Sequence, residues 1–288
     1  MGSFSVLNNI SGINAQNQLN LNNVNLSRTL SRLSSGKRIS TGADDAAGLQ
    51  IADSLNANVY ALNQSIRNAN DGIGVAQIAD GALQEMSNLL TRGVTLAEEA
   101  ATETVDANGK ASLQAEFTSI QAEIARIATQ TNFNGAYLFT PAGLGGDGKL
   151  SVFVGDMSSS STIDLSIASI TADATKGTVT ALGTTDLTKV DLTKDAAGAL
   201  TNIQAALNTV AGMRGTIGAG MNRLQSAVSV LQTQVQNTQS AESTIRDANM
   251  AQEISNLTKE QILAQSGMAA LAQANSQSQN VLTLLKNA

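Results

Sequence analysis

From Ile254 to Leu285 the chain steps through Ile254, Leu257, Gln261, Ala264, Met268, Leu271, Asn275, Ser278, Leu282 and Leu285, alternating three and four residues throughout. That rhythm is a coiled-coil seam, whose side chains meet a partner helix about every 3.5 residues. Gln261, Asn275 and Ser278 make it partly polar, and buried polar groups favour one register at a cost in stability. The seam needs a partner. Either the other end of the chain or another molecule can supply it, and both are expected here.

The rest of the chain supports a helical reading. Aromatic residues make up only 2% of the 288 residues, with one Pro and no Trp, so apolar groups must be buried as helix seams rather than in a thick globular core. There is no His and no Cys. That removes the usual zinc shells, disulfides, and the Ser-His-Asp and Cys-His nucleophile pairs, so neither an enzyme nor a cofactor is expected. A net charge of −6 with no basic face argues against nucleic acid. The first sixteen residues lack the basic and apolar regions of a cleaved secretory signal. No apolar run approaches the roughly 18 residues of a membrane span, and no membrane insertion is expected.

Residues 1–42 hold no acid; Arg28, Arg32, Lys37 and Arg38 are their only charges. Leu26, Leu30 and Leu33 form a seam, while Ile10, Ile13 and Leu19 are looser. Alone this segment buries too little to offset its ordering entropy, so it is expected to fray in a free subunit. Thr41 or Asp44 is expected to cap the helix that follows. That helix runs from Ala52 through Leu55, Val59, Leu62, Ile66, Ala69, Ile73 and Ala76, then Leu83, Leu90, Val94 and Ala97. Some 45–55 residues at about 1.5 Å each give roughly 70–80 Å. Gly72, Gly74 and Gly81 mark candidate bends or close helix contacts.

Asp106 to Gly109 reads as a turn. A second helix follows with Leu113, Phe117, Ile120, Ile124 and Ile127 in step. Leu150, Val152 and Val154, then Ile163, Leu165 and Ile167, fall at every second position, with polar residues between them except at Phe153, and read as a hairpin. Residues 171–194 are rich in Thr, Asp, Lys and Gly and read as a surface excursion. A long helix then returns through Leu200, Ile203, Leu207, Val210, Ile217, Met221, Leu224, Val228, Leu231 and Val235. The fold class is therefore mainly α: long antiparallel helical rods or coiled coil from the two halves of the chain, with a small β-hairpin region between them. The expected helices are about 45–105, 111–130 and 197–245, and the hairpin and loop region about 136–194. Residues 1–44 and 246–288 are the two halves of a tail domain, and 45–245 is a rod domain.

Three stretches carry a resemblance. LSRLSSGKRISTGADDAAGLQIA (30–52), SIQAEIARIATQTNFNG (119–135) and IRDANMAQEISNLTKEQILAQSGMAALAQANSQSQNVLTLL (245–285) closely resemble signatures of bacterial flagellin, in order and at both ends. The resemblance implies a filament subunit of a minimal type, exported through the flagellar type III route without a cleaved signal. Its paired termini would form an inner tube on assembly, and its rod helices the surrounding layer. Leu26, Leu30, Leu33, Ile254, Leu257, Met268, Leu271, Leu282 and Leu285 are then the assembly seam. The implied partners are further copies of itself, the export apparatus with a chaperone at the C-terminal helix, and the filament cap and hook-associated junction proteins. Arg92, Leu96 and Glu116 resemble the flagellin patch recognised by Toll-like receptor 5, and also suit contacts between neighbouring subunits. Ser158, Ser159, Ser160 and Ser161 are candidate glycosylation sites. The alternatives are a hook–filament junction protein or another structural protein of the secretion apparatus, and a peripheral membrane protein, though the C-terminal seam lacks the aromatic and basic faces the last needs.

Overall fold

The computed structural model describes residues 9–140, 143, 148–156, 161–167, 170–173, 178–182 and 186–286. They form five helices: α1 Ile10–Ser35, α2 Ala46–Ala101, α3 Ala107–Gln130, α4 Ala196–Arg246 and α5 Met250–Lys286. Between α3 and α4 lie six short strands, β1 Asn132–Phe133, β2 Ala136–Tyr137, β3 Lys149–Phe153, β4 Thr162–Ser166, β5 Ile170–Asp173 and β6 Thr178–Leu182, and a single 3₁₀ turn, Leu187–Lys189. The chain divides into two compact units, Met1–Ala57 with Asn237–Ala288, and Asn58–Gln236.

The second unit holds the main core. Residues Asn58–Ala101 of α2 run antiparallel to Ala196–Gln236 of α4. A Cβ at Gly72 would stand 3.4 Å from Leu224 Cδ1, and one at Gly93 would stand 3.7 Å from Ile203 Cγ2. The buried face of α2 passes through Leu62, Ser65, Ala69, Gly72, Ala76, Ala79, Leu83, Met86, Leu90, Gly93 and Ala97, in steps of three and four. Ser65, Gly72 and Gly93 thus sit in the seam beside the leucines. Ser65 is satisfied by donating its hydroxyl to the Gly155 carbonyl at 2.5 Å. Arg214 of α4 donates to Asp80 of α2 at 2.8 Å, which places the acid that interrupts the apolar rhythm in an ion pair.

Helix α3 starts four residues earlier than the apolar spacing suggests. Asp106 accepts from the Gly109 amide at 2.7 Å, so the Asp-Ala-Asn-Gly cluster is an N-cap and first helical turn rather than a separate turn. After α3, Asn134 (φ 50°) and Gly135 (φ 81°) both take positive φ, the two-residue turn that suits a tight hairpin between β1 and β2.

The alternating stretch folds as expected. β3 and β4 pair antiparallel, with Leu150 opposite Leu165 and Val152 opposite Ile163. This hairpin sits against bare backbone on both long helices. A Cβ at Gly72 would lie 2.7 Å from Val152 Cγ2, and one at Gly220 would lie 2.3 Å from Leu165 Cδ1. Gly72 is therefore a close-contact site for a strand, whereas Gly74 and Gly81 have open space where a Cβ would be.

The described residues of 171–194 do not form a surface excursion. β5 and β6 pair antiparallel with a bulge at Thr171/Ala172, and Ile170, Val179, Leu182, Leu187, Val190 and Leu192 are buried in the same cluster as Phe117 and Ile124 of α3. Two glutamines seven residues apart on α3 tie this segment down. Gln121, itself buried, donates to the Leu187 carbonyl at 2.6 Å, and Gln114 accepts from the Leu192 amide at 2.7 Å.

Candidate functional site: the paired terminal helices

In the first unit, α1 and α5 pair antiparallel. Asn9 donates to the Ala274 carbonyl at 3.0 Å, Asn22 donates to the Glu260 carbonyl at 2.8 Å, and Arg32 faces Glu253 at 3.8 Å. The residues of α1 drawn inward are Gly12, Ala15, Leu19, Asn22, Leu26, Thr29 and Leu33. Those of α5 are Glu253, Leu257, Glu260, Ala264, Gly267, Leu271 and Ala274. Both series keep the three-four rhythm of a coiled coil. The contact is close where side chains are small: a Cβ at Gly267 would stand 3.3 Å from Leu19 Cδ1.

The apolar seam read from the sequence divides at this pairing. Leu26, Leu33, Leu257 and Leu271 turn toward the partner helix. Leu30 (47% exposed), Ile254 (52%) and Met268 (55%) do not. The inward column on α5 is Glu253, Glu260, Gly267 and Ala274, one position ahead of Ile254, Gln261, Met268 and Asn275. The physical reason is size: Gly267 lets the helices approach, and the larger Met268 beside it is left outside. Burial across the pair is thin. Among the described residues of the two helices, only Gly12 and Thr29 on α1 and Glu253 on α5 are buried. The backbone at Leu282 and Leu285 is helical, but their side chains lie outside the described residues.

Where α1 gives way to α2, the chain is knotted to the break between α4 and α5. Gly36, with φ 70°, caps α1, and its carbonyl accepts from the Ala248 amide at 2.9 Å. The Arg38 amide donates to the Arg246 carbonyl at 2.7 Å, and its guanidinium donates to the Ile245 carbonyl at 2.6 Å. Arg246 in turn lies 3.0 Å from Asp53 and 3.7 Å from Glu242. The Arg38 and Arg246 side chains thus serve a carbonyl and carboxylates of the same chain.

Asp45, rather than Thr41 or Asp44, caps α2, accepting from the Gly48 amide at 2.9 Å. Asp44 instead closes the preceding turn. The Thr41 and Ser40 amides, and then the Thr41 hydroxyl, donate to its carboxylate and hold its pKa down at about 2. Because the folded value lies below the ordinary aspartate value of about 3.9, this contribution is present above about pH 4 and lost as pH falls through about 2. An NMR titration of the Asp44 carboxyl should therefore give a midpoint near 2. A midpoint at the ordinary aspartate value would show the 40–44 turn open in solution.

Arg92 and Glu116 form an ion pair. The Arg92 guanidinium donates through Nε at 2.9 Å and Nη2 at 2.7 Å to one oxygen of Glu116, joining α2 to α3 on an exposed surface. Such an exposed pair stabilises by about 0.2–1 kcal/mol. Leu96 is different. It is fully buried, in the same cluster as Phe117 and Ile203, and does not share the exposed face with Arg92. One helical turn beyond Arg92, the side chain falls on the core edge of α2, next to Ala97. Of the hydroxyl cluster, Ser161 is exposed, and Ser158, Ser159 and Ser160 lie outside the described residues.

Comparison with known proteins places the same two regions in one family. Residues 6–142 match the bacterial flagellin N-terminal helical region, and residues 200–285 match the bacterial flagellin C-terminal helical region. The chain is 36% identical to the flagellin of Bacillus subtilis (strain 168), across 96% of this chain and 98% of that protein. It is 34% identical to the flagellar filament 31.3 kDa core protein of Treponema maltophilum, again over 96% and 98%. Among solved structures, the crystal structure of Bacillus cereus flagellin is 28% identical, covering 57% of this chain and 88% of that one with a TM-score of 0.46.

Proposed function

This chain belongs to the bacterial flagellin family and is a structural subunit of the flagellar filament, and from that premise we propose how it assembles. The paired termini, residues 1–44 and 246–288, form the inner tube of the filament, and 45–245 form the layer of rods around it. The observation that carries this is the divided seam. One half of the apolar rhythm pairs α1 with α5, and the other half, led by Ile254 and Met268, remains exposed on a helix pair with little fully buried surface. An exposed face completed only by a neighbouring copy is a heterologous contact, and such contacts propagate into open helical polymers.

The thin burial also supports tails that order as the subunit joins the filament, because segments with few buried contacts open at low free energy. Purified chain, seeded with filament fragments, is expected to pellet and to show long filaments in negative stain. In the free subunit, amide exchange should be fast in α1 and α5 and slow in the second unit. Equal protection of both would defeat the folding-on-assembly reading while leaving polymerisation itself intact. Before assembly the exposed row on α5 needs shielding, which supports an export chaperone there, and membership of the filament family supports export through the flagellar type III route. The filament cap and hook-associated junction proteins are the neighbours at the filament's ends. A short, capped assembly that never elongates would favour the junction-protein alternative.

The exposed Arg92–Glu116 pair supports recognition of the released subunit by Toll-like receptor 5, and the same surface serves contacts between subunits in the filament. Leu96 acts there by holding α2 from beneath. A receptor reporter cell line should respond to the free subunit and respond at least about tenfold less to Arg92→Ala, since truncating a charged interface residue costs about 2 kcal/mol or more. No response to the unaltered subunit removes the claim. The Ser158–Ser161 cluster is the proposed glycosylation site, and an intact mass equal to the sequence mass removes that one.

A further inference from the structure

We propose that Met268 is an oxidation-sensitive position on the assembly face: converting its thioether to the sulfoxide in the free subunit blocks polymerisation, and the filament shields it. The inference rests on the reading that the Ile254–Met268 row packs against a second copy. It begins from the unequal surroundings of the described methionines. Met86 and Met213 are buried and Met221 is half-buried, whereas Met250 and Met268 are exposed, at 44% and 55%. Of the exposed two, only Met268 lies on the uncovered row, two heptads from Ile254 and beside the inward Gly267. Met250 is the first residue of α5 and lies off that row.

The chemistry needs one co-reactant, a peroxide. A sulfur lone pair attacks one oxygen of hydrogen peroxide, the O–O bond breaks, an S–O bond forms, and water leaves; sulfur loses two electrons and the peroxide gains them. The product is polar and chiral where the thioether was flexible and apolar. In the open subunit water satisfies the new oxygen. Against the apolar face of a second copy it is left without a donor, and an unsatisfied buried polar group is costly. The oxidised subunit therefore keeps its own fold, since Met268 faces away from α1, and loses the contact with its neighbour.

The test treats free subunit with dilute hydrogen peroxide, maps oxidised methionines by peptide mass spectrometry, and measures the critical concentration for seeded assembly by pelleting. Untreated Met268→Leu and Met250→Leu should assemble like the unaltered chain. After treatment, the unaltered chain and Met250→Leu should show a critical concentration raised about tenfold or more, and Met268→Leu should keep its original value. In preformed filaments Met268 should oxidise at least about tenfold more slowly than in the free subunit, as expected when opening must precede reaction. Treated unaltered chain that still assembles normally overturns the proposal, and so does loss of assembly by treated Met268→Leu. Should Met268→Leu not assemble even untreated, the protection ratio in unaltered filaments decides: equal oxidation rates overturn the proposal. Untreated unaltered chain that fails to elongate from seeds defeats the assembly reading itself, a result distinct from all of these.

Discussion

A chain trimmed of residues 1–40 and 250–288 is expected to form no filaments where the intact chain polymerises completely. The exposed apolar positions of α1 and α5, among them Ile13, Val24, Leu30, Ile254 and Met268, leave with the deletion. So does the pairing that holds the two helices together. What remains includes the whole of the second unit, whose core of Leu83, Leu90, Phe117, Ile124 and Ile203 involves neither tail. The trimmed chain should therefore keep a cooperative thermal transition while its critical concentration rises at least about a hundredfold, the scale set by losing two or three apolar contacts per subunit. Pelleting with negative-stain microscopy reads the critical concentration, and circular dichroism reads the thermal transition. If the trimmed chain elongates from seeds as readily as the intact one, the tails are not the assembly device. If it neither assembles nor melts cooperatively, the experiment reports on folding instead, and a shorter trim to residue 20 and from residue 268 separates the two.

How the seam was legible in the sequence, and where it was not, follows from what a periodicity can say. The three-four rhythm of α5 identifies a coiled coil whichever column faces inward, because neighbouring columns share the same period. Choosing the column from hydrophobicity favours Ile254 and Met268. The structure instead turns Glu253, Glu260, Gly267 and Ala274 toward α1. The deciding property is size at Gly267, and an antiparallel partner of small and polar residues, Gly12, Ala15, Asn22 and Thr29, which hydropathy ranks low. Leu30 is left outside for the same reason. The rods show the same bias: Ser65, Gly72 and Gly93 belong to the buried face of α2, although only apolar residues mark it in the sequence.

The β3–β4 hairpin was legible because β4 alternates strictly over its five residues and β3 departs from alternation only at Phe153. The β5–β6 segment was not. Its apolar residues occur singly among Thr and Gly, and what fixes it lies far away in sequence: Gln121 on the Leu187 carbonyl and Gln114 on the Leu192 amide. At the exposed pair, the resemblance named Arg92 and Glu116 together, but their ion pair follows from how α2 packs on α3, which no spacing within either helix encodes. The placement of Leu96 depends on where the drifting seam of a 3.6-residue helix has moved by that turn, and the i, i+4 relation to Arg92 does not encode it.

Replacing Gly220 by Val is expected to destabilise the second unit by about 1–3 kcal/mol, the usual range for overpacking a filled core. Helix propensity alone favours the change, since Gly is about 1 kcal/mol worse than Ala in a helix interior. Packing opposes it more strongly. A Cβ here would stand 2.3 Å from Leu165 Cδ1, and Leu165 is fully buried, so its side chain has no solvent to move into. The sign therefore depends on Leu165, which a double-mutant cycle can test. Leu165→Ala alone should cost about 2–5 kcal/mol through the cavity it leaves. In the double variant the Val methyls occupy part of that cavity, and the sum should fall short of additivity by about 0.5–3 kcal/mol. Urea unfolding of the four chains measures this, and strict additivity would show that the hairpin does not seat on α4 as described. Neither change touches α1 or α5. Well below its melting temperature the Gly220→Val chain should still elongate from seeds, so the notch that holds the hairpin and the helices that join subunits can be disabled one at a time.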